Sequence, residues 1–485
     1  MYVNGRWIKS NSGEAIDVFD PANGDKVGEV DKGTPEDARK AVKAANEAFE
    51  EWSETGPGER AELLNDAADE VEKNLDNIAK LLTREQGKPL NEARGEVKTA
   101  ANDLRYFARK GREIVGRTIP TGKQERRSIV LKQPIGPVAA ITPWNYPVVL
   151  AGWKLGPALV SGCTVTLKPP CLTPLSVEAF VKCFDEAGFP PGVVNLVTGS
   201  GSEVGRALIK DPGTRKVSFT GQTSTGKQIM KDAASNVTRM TLELGGHCPF
   251  IVTSDADIEA AVENGVYRSF RNMGQICNSI NRIFVEEEVY SEFLEAFVCE
   301  TEKLEIGSGL ENPDVDLGPM ASESGLRKVK EHVKDALEKG ATLGTGGEEP
   351  VGKKFDRGFY YRPTVLSDLS LDMKVMEEET FGPVAPIMKV SSLKEAVDLA
   401  NEKEDGLVSY LFIGEFDRGL KVAEEMEYGT VDINNVSGGS SAFPYEGWKQ
   451  SGFGIELSDE GFDEYLHTKH VRIQSEGFSD GTKFN

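Results

Sequence analysis

Cys277, Glu243 and Asn145 are the residues whose types and settings could do chemistry, as a thiol, a carboxylate and an amide donor. Cys277 closes MGQIC (273–277), so its thiol follows a glycine-containing turn. A thiolate there is a nucleophile, although a cysteine taken alone is more often an inert buried filler. Glu243 opens ELGG (243–246) at the end of an apolar run. A carboxylate at that point can act as a base or serve only as a structural hydrogen-bond partner. Asn145, within PWNYP (143–147), offers an amide donor from a loop stiffened by two prolines. FTGQTSTGKQ (219–228) contains GxxxxGK from Gly221 through Gly226 to Lys227. Gln228 stands where a phosphate loop needs Ser or Thr for magnesium, so a nucleoside triphosphate is disfavoured. A loop entering a helix still presents N–H groups to a dinucleotide pyrophosphate. GSGSEVG (199–205) is a second glycine-rich turn, and for either one alone a plain turn is the more frequent explanation. His247, His332, His467 and His470 show no metal-ligand spacing, and no metal site is expected.

The elements that must position these residues follow from hydrophobic periodicity. Thr34 caps a helix running to Trp52, with Pro35, Glu36 and Asp37 in its first turn. Further helices are expected over 59–82 and 91–114. From Val138 the pattern changes to short apolar runs at 138–142, 164–168, 193–197, 216–219 and 241–244. Helical stretches at 148–160, 174–187, 202–210 and 224–235 separate them. This alternation predicts a parallel sheet covered on both faces, with ligands at the carboxyl ends of its strands. A second α/β stretch spans about 246–436, with helices at 258–269, 289–304, 325–338 and 393–402. KVKEHVKDALEKG (328–340) reads as a solvated helix face, and EYLHTKHVRI (464–473) as a late strand facing solvent or a partner chain.

Composition excludes more than it identifies. The 485 residues carry 56 Lys+Arg against 78 Asp+Glu, a net charge of −22, which disfavours a partner made of nucleic acid. Six cysteines without a CxxC pair fit neither a disulfide scaffold nor zinc. The apolar stretch 129–160 is broken by lysines and prolines, so it reads as core and not as a membrane span. The N-terminus lacks a signal peptide's pattern, and a cytoplasmic protein is expected.

Taken together, the segments resemble the NAD(P)-dependent aldehyde dehydrogenase superfamily. The resemblance runs through YVNGRW (2–7), EQGKPL (85–90), TPWNYP (142–147), LKP (167–169), FTG…G (219–226), LELGG (242–246), GQIC (274–277), EETFGPV (378–384) and KQSGFG (449–454), in that order. It implies an α/β protein with a Rossmann-like cofactor domain (1–115 and 135–245), a second α/β catalytic domain (246–450) and a small β oligomerisation extension (116–134 and 460–475). A homodimer or homotetramer is implied with it.

By the same resemblance, Cys277 is the nucleophile that attacks a small aldehyde, and Asn145 steadies the resulting oxyanion. Glu243 activates the water that hydrolyses the thioester. That glutamate argues against the coenzyme-A-acylating members, which remain an alternative. Lys168 matches the adenosine-ribose ligand, and Glu379 the nicotinamide-ribose ligand. Thr142, Pro143, Trp144, Gly201, Gly205, Phe219, Gly221, Gln222, Gly226 and Phe381 complete the implied cofactor site. Glu456 matches a second carboxylate used by some members in proton transfer, with Ile455 in place of the usual arginine.

The sequence departs from the family pattern at three positions. KPSE reads KPPC, placing Cys171 where NAD-using members carry a glutamate; NADP is therefore slightly favoured over NAD. ELGGK reads ELGGH with His247, and Gly221 is followed by Gln222 in place of serine. In the substrate pocket, Arg271 resembles the arginine that succinate-semialdehyde dehydrogenases use on a substrate carboxylate. Their second arginine falls at Trp153. A carboxylated semialdehyde is thus one alternative for the substrate, and a structural role for Arg271 is the other.

Overall fold

Short runs rich in apolar residues, too short for a helix, are best buried inside a parallel sheet. In the computed structural model, which describes residues 1–123, 126–436 and 439–474, five such runs do this. Strands Val194–Leu196, Val165–Lys168, Val138–Ile141, Lys216–Thr220 and Arg239–Glu243 lie side by side in that order, all parallel. The chain order reverses between Val138–Ile141 and Lys216–Thr220, which opens a crevice at their carboxyl ends. Tyr2–Val3 and Arg6–Trp7 extend one edge of the sheet. At the other edge, Gly452–Phe453 pairs antiparallel with Leu242 and Glu243.

The second sheet takes its strands in the order Thr342–Thr345, Thr364–Ser367, Val384–Val390, Ile280–Glu286, Cys248–Val252, Val408–Phe412 and Thr430–Ile433. Only Thr342–Thr345 joins antiparallel. A third, antiparallel sheet is built from Arg117–Ile119, Arg126–Pro134 and the late strand Leu466–Gln474. Its exposed side chains include Ile119, Leu131 and Ile473. Within the spans 116–134, 460–475 and 246–450 read from the sequence, positions 124, 125, 475, 437 and 438 lie outside the described residues.

Local chemistry accounts for the helix ends and for the departures from expectation. Helix Pro35–Trp52 starts with a capping box, in which Thr34 and Asp37 bond each other's backbone N–H. The helix expected over 59–82 is two helices, Pro57–Lys73 and Leu75–Gln86. Asn74 breaks it by turning its side-chain amide back onto the Glu70 carbonyl. The segment at 202–210 opens as a π-helical turn, Gly201–Gly205, before Arg206–Lys210. Helix Glu323–Glu338 is solvated on one side only: Leu326, Val329, His332, Val333 and Ala336 form a buried stripe at helical spacing.

Candidate active site

Cys277 sits in a turn between Arg271–Gly274 and strand Ile280–Glu286. Three consecutive residues there, Asn272, Met273 and Gly274, adopt left-handed backbone with φ of 50°, 59° and 66°. For the two non-glycines this conformation costs roughly 1–2 kcal/mol each, and the surroundings must hold it. The Gln86 side-chain amide donates to Asn272 Oδ1 at 3.0 Å, and Gln275 Nε2 donates to the Asn272 carbonyl at 3.0 Å. Gly274 cannot be larger, because a Cβ would stand 2.2 Å from the Gly382 carbonyl oxygen.

The thiol is half-buried. Burial pushes it up to about 11, the carboxylates of Glu243 and Glu379 push the same way, and the Tyr445 hydroxyl and the Asn278 N–H oppose them. Glu243 ends strand Arg239–Glu243, as its place in the sequence suggested, and is 3% exposed. Neither of its carboxylate oxygens has a hydrogen-bond partner among the described residues. Burial, then the neighbouring Glu456, hold its pKa well above the ordinary carboxylate range, with Lys154 opposing.

Asn145 lies in the loop between strand Val138–Ile141 and helix Pro147–Ser161. Its amide nitrogen donates to the Gln275 carbonyl at 3.0 Å, tying it to the cysteine turn. The buried Lys88 ammonium donates to the Asn145 carbonyl at 2.7 Å and pairs with buried Glu96 at 2.6 Å. Glu96 in turn accepts from the Val148 and Val149 N–H groups, capping the helix that follows. Lys88 stands in the EQGKPL motif, but nothing in the sequence assigned it this role. Tyr445, 3.5 Å from the Cys277 sulfur through its hydroxyl, was also missed.

The crevice at the carboxyl ends of the first sheet gathers the residues expected to hold a cofactor. Gly221 follows strand Lys216–Thr220, and a Cβ on it would lie 2.5 Å from the Phe219 ring. Gln222 caps helix Thr223–Ala233 without any side-chain hydrogen bond. The first N–H groups of that helix are therefore available to a pyrophosphate. Gly226 packs where a Cβ would meet Leu244 at 2.6 Å. Lys168 ends strand Val165–Lys168 with its ammonium on the Pro169 carbonyl at 2.8 Å, and burial lowers its pKa. Gly205 packs beside the Lys168 stem; Gly201 starts the exposed π-helical turn. The Cys171 thiol donates to the Gly199 carbonyl at 3.1 Å. Thr142 and Pro143 begin the Asn145 loop, and Trp144 meets Phe381 edge-on at 5.6 Å between centroids. Burial lifts Glu379 to about 7, against the pull of Lys328 and of the Gly246 N–H. An open helix start, close-approach glycines and a buried carboxylate fit a dinucleotide.

The two substrate-pocket candidates are both engaged. Arg271 Nε pairs with Glu92 at 2.9 Å, and its guanidinium lies against the rings of Tyr146 and Tyr267. It borders a cavity of about 470 Å³ whose walls include Glu92, Tyr267 and Phe270, and do not include Cys277. Trp153 donates from its indole to Asp103 at 2.9 Å, Ser441 donates to the other Asp103 oxygen, and the Trp153 ring meets Tyr445 at 5.7 Å.

The aldehyde dehydrogenase family model matches residues 7–471. The chain is 44% identical to succinate-semialdehyde dehydrogenase [NADP(+)] of Escherichia coli, over 97% of each chain. It is 42% identical to 3-sulfolactaldehyde dehydrogenase of Pseudomonas putida, over 97% of this chain and 96% of that one. The crystal structure of succinate-semialdehyde dehydrogenase from Burkholderia pseudomallei superposes with a TM-score of 0.95 at 42% identity, covering 98% of this chain and 97% of that one. With nearly its whole length matched by the family model and by these relatives, the chain belongs to the aldehyde dehydrogenase family.

Proposed function

We propose that Cys277, Glu243 and Asn145 carry out the oxidation of an aldehyde to its carboxylic acid. The observation that carries this assignment is the buried Glu243 carboxylate, unpartnered at a strand end and close enough to raise the pKa of the Cys277 thiol. Attack by the Cys277 sulfur on the aldehyde carbon forms a C–S bond and leaves an oxyanion. One hydrogen of the Asn145 amide is held by the Gln275 carbonyl, which leaves the second, with the Cys277 N–H, for that oxyanion. NAD(P)+, when bound, supplies the hydride acceptor that turns the cysteine adduct into a thioester. Gly221, Gln222 and the start of helix Thr223–Ala233 would hold its pyrophosphate, Lys168 and Cys171 its adenosine ribose, and Glu379 its nicotinamide ribose. Glu243, a stronger base for being buried, takes a proton from the water that hydrolyses the thioester.

A carboxylated semialdehyde is the substrate class that one observation favours. Among the described residues Arg271 is hydrogen-bonded through its Nε alone, to Glu92, which leaves guanidinium donors for a substrate carboxylate. The curated relatives named above act on anionic aldehydes by their names. A cytoplasmic homo-oligomer using NADP or NAD accords with this reading. An aldehyde panel assayed at 340 nm with each cofactor, with and without coenzyme A, tests it. We expect acid production that is independent of coenzyme A and at least about tenfold higher kcat/KM for succinic semialdehyde than for butanal, a gap of ~1.4 kcal/mol. Dependence on coenzyme A would overturn the hydrolytic role of Glu243, and equal kcat/KM values would overturn the semialdehyde assignment.

A further inference from the structure

Cys277 needs its thiolate form to attack, yet most of what surrounds the sulfur works against that form. Glu243 and Glu379 are carboxylates, and Cys248, whose thiol donates to the Cys277 carbonyl at 3.5 Å, is a buried neutral thiol. The buried ammonium of Lys154 is paired with Glu456 and bonded to Thr220. Asn145 spends one amide hydrogen on Gln275. Among the described residues, the side chain within hydrogen-bond reach of the sulfur is Tyr445, with its hydroxyl oxygen 3.5 Å away.

Its strand sets Tyr445 there. It lies in strand Tyr445–Glu446, which pairs antiparallel with Ile455–Glu456 and sets Tyr445 opposite Glu456 in register. On its flank the Trp153 ring, itself tethered to Asp103, packs edge-on. The phenol is buried, and burial together with the Cys277, Glu243 and Cys248 groups keeps it protonated far above neutral pH. It is therefore a permanent donor. Its hydroxyl oxygen can accept from the S–H of the resting thiol, and with one rotation about the C–O bond its O–H donates to the thiolate.

We propose that the Tyr445 hydroxyl is the hydrogen-bond donor that stabilises the Cys277 thiolate and aims it at the substrate. This rests on the reading of Cys277 as the nucleophile. A hydrogen bond to the charged form lowers the pKa of the group that carries the charge. Removing the hydroxyl must then raise the pH at which Cys277 ionises, and leave the ring packing against Trp153 intact.

The test is the pH profile of iodoacetamide alkylation, read on the Cys277 peptide by mass spectrometry so that Cys299 and Cys171 do not contribute. In Tyr445→Phe the midpoint should rise by about one pH unit, and the rate below the midpoint should fall about tenfold. Trp153→Phe, which trims the packing partner and keeps the hydroxyl, should leave the midpoint where it was. An unchanged midpoint in Tyr445→Phe overturns the proposal. So does an equal shift in Trp153→Phe, which would make packing the cause. The readout is Cys277 ionisation and not turnover, so either result is distinguishable from a failure of the nucleophile assignment itself.

Discussion

Lys154 and Glu456 form an ion pair with both side chains withdrawn from solvent, and the pair leaves the adjacent Glu243 carboxylate with no bonded partner. A buried cation that could have neutralised Glu243 is committed elsewhere. The consequence is a carboxyl group that keeps its proton well above the ordinary range and accepts one avidly once ionised.

Replacing Glu243 by glutamine should split the reaction in time. Cofactor reduction should survive as a burst near one equivalent per site, followed by a slow steady state limited by thioester hydrolysis. The wild-type steady-state rate should rise with pH as Glu243 loses its proton, along a limb lying above pH 4.5, the ordinary value for the group. That limb should vanish in Glu243→Gln. Loss of the burst as well would mean that Glu243 acts before the thioester forms.

Cys277→Ala should lower kcat by at least about a thousandfold, ~4 kcal/mol in barrier, because no neighbouring group replaces a covalent relay. Retention of more than about a tenth of wild-type turnover would falsify the nucleophile assignment.

Asp103 gives a stability prediction. Burial raises it to about 6, against the bonds from Ser441 and Trp153. Its folded pKa lies above an unfolded value near ~3.9, so the folded state holds the extra proton. The stability it contributes is complete below about pH 4 and is lost as pH rises through about 6. Asp103→Asn should remove roughly 2–3 kcal/mol of that decline, measured as urea midpoints between pH 4 and 7. Parallel slopes in the two proteins would show that Asp103 titrates normally.

Cofactor choice should follow the charge at position 171. A carboxylate and a 2′-phosphate about 4 Å apart repel by about 4 kcal/mol at an effective dielectric of ~20, and Cys171 brings no such charge. Cys171→Glu should move the kcat/KM ratio toward NAD by about tenfold or more. A wild type that uses NAD alone would show that some other group excludes the phosphate.

The antiparallel sheet of Arg117–Ile119, Arg126–Pro134 and Leu466–Gln474 has edges left unpaired among the described residues, and exposed Leu131 and Ile473. Such an edge is covered in a stable protein, and a second copy of the chain is the simplest cover. Light scattering at micromolar concentration should give a multiple of 52.8 kDa; the monomer mass would refute this.

What could be read from the sequence was what burial writes locally. The five central strands of the first sheet are short, largely buried runs with a glycine or proline close by, and they occur within a residue or two of where they were expected. Glu243, at the end of one of them, was legible because its strand was. Asn74 was not, because a break in an amphipathic stretch depends on one side chain folding back onto Glu70. Lys88, Lys154 and Asp103 look like ordinary polar positions on helices and loops. Their partners Glu96, Glu456 and Trp153 meet them only after the chain has folded. Tyr445 was hidden for the same reason: periodicity does not show that a two-residue strand opposite Glu456 will reach Cys277.

The strand Gly452–Phe453, which closes the first sheet beside Leu242 and Glu243, sets an order on biosynthesis. A ribosome releases the other strands of that sheet early, but the edge next to Glu243 stays bare until almost the whole polypeptide has emerged. A half-made chain therefore displays a naked β edge, the surface on which nascent proteins misassociate. Contacts between segments so distant along the chain also slow folding. Catalytic competence should consequently arrive last, and fragments truncated before residue 452 should aggregate more readily than the complete chain.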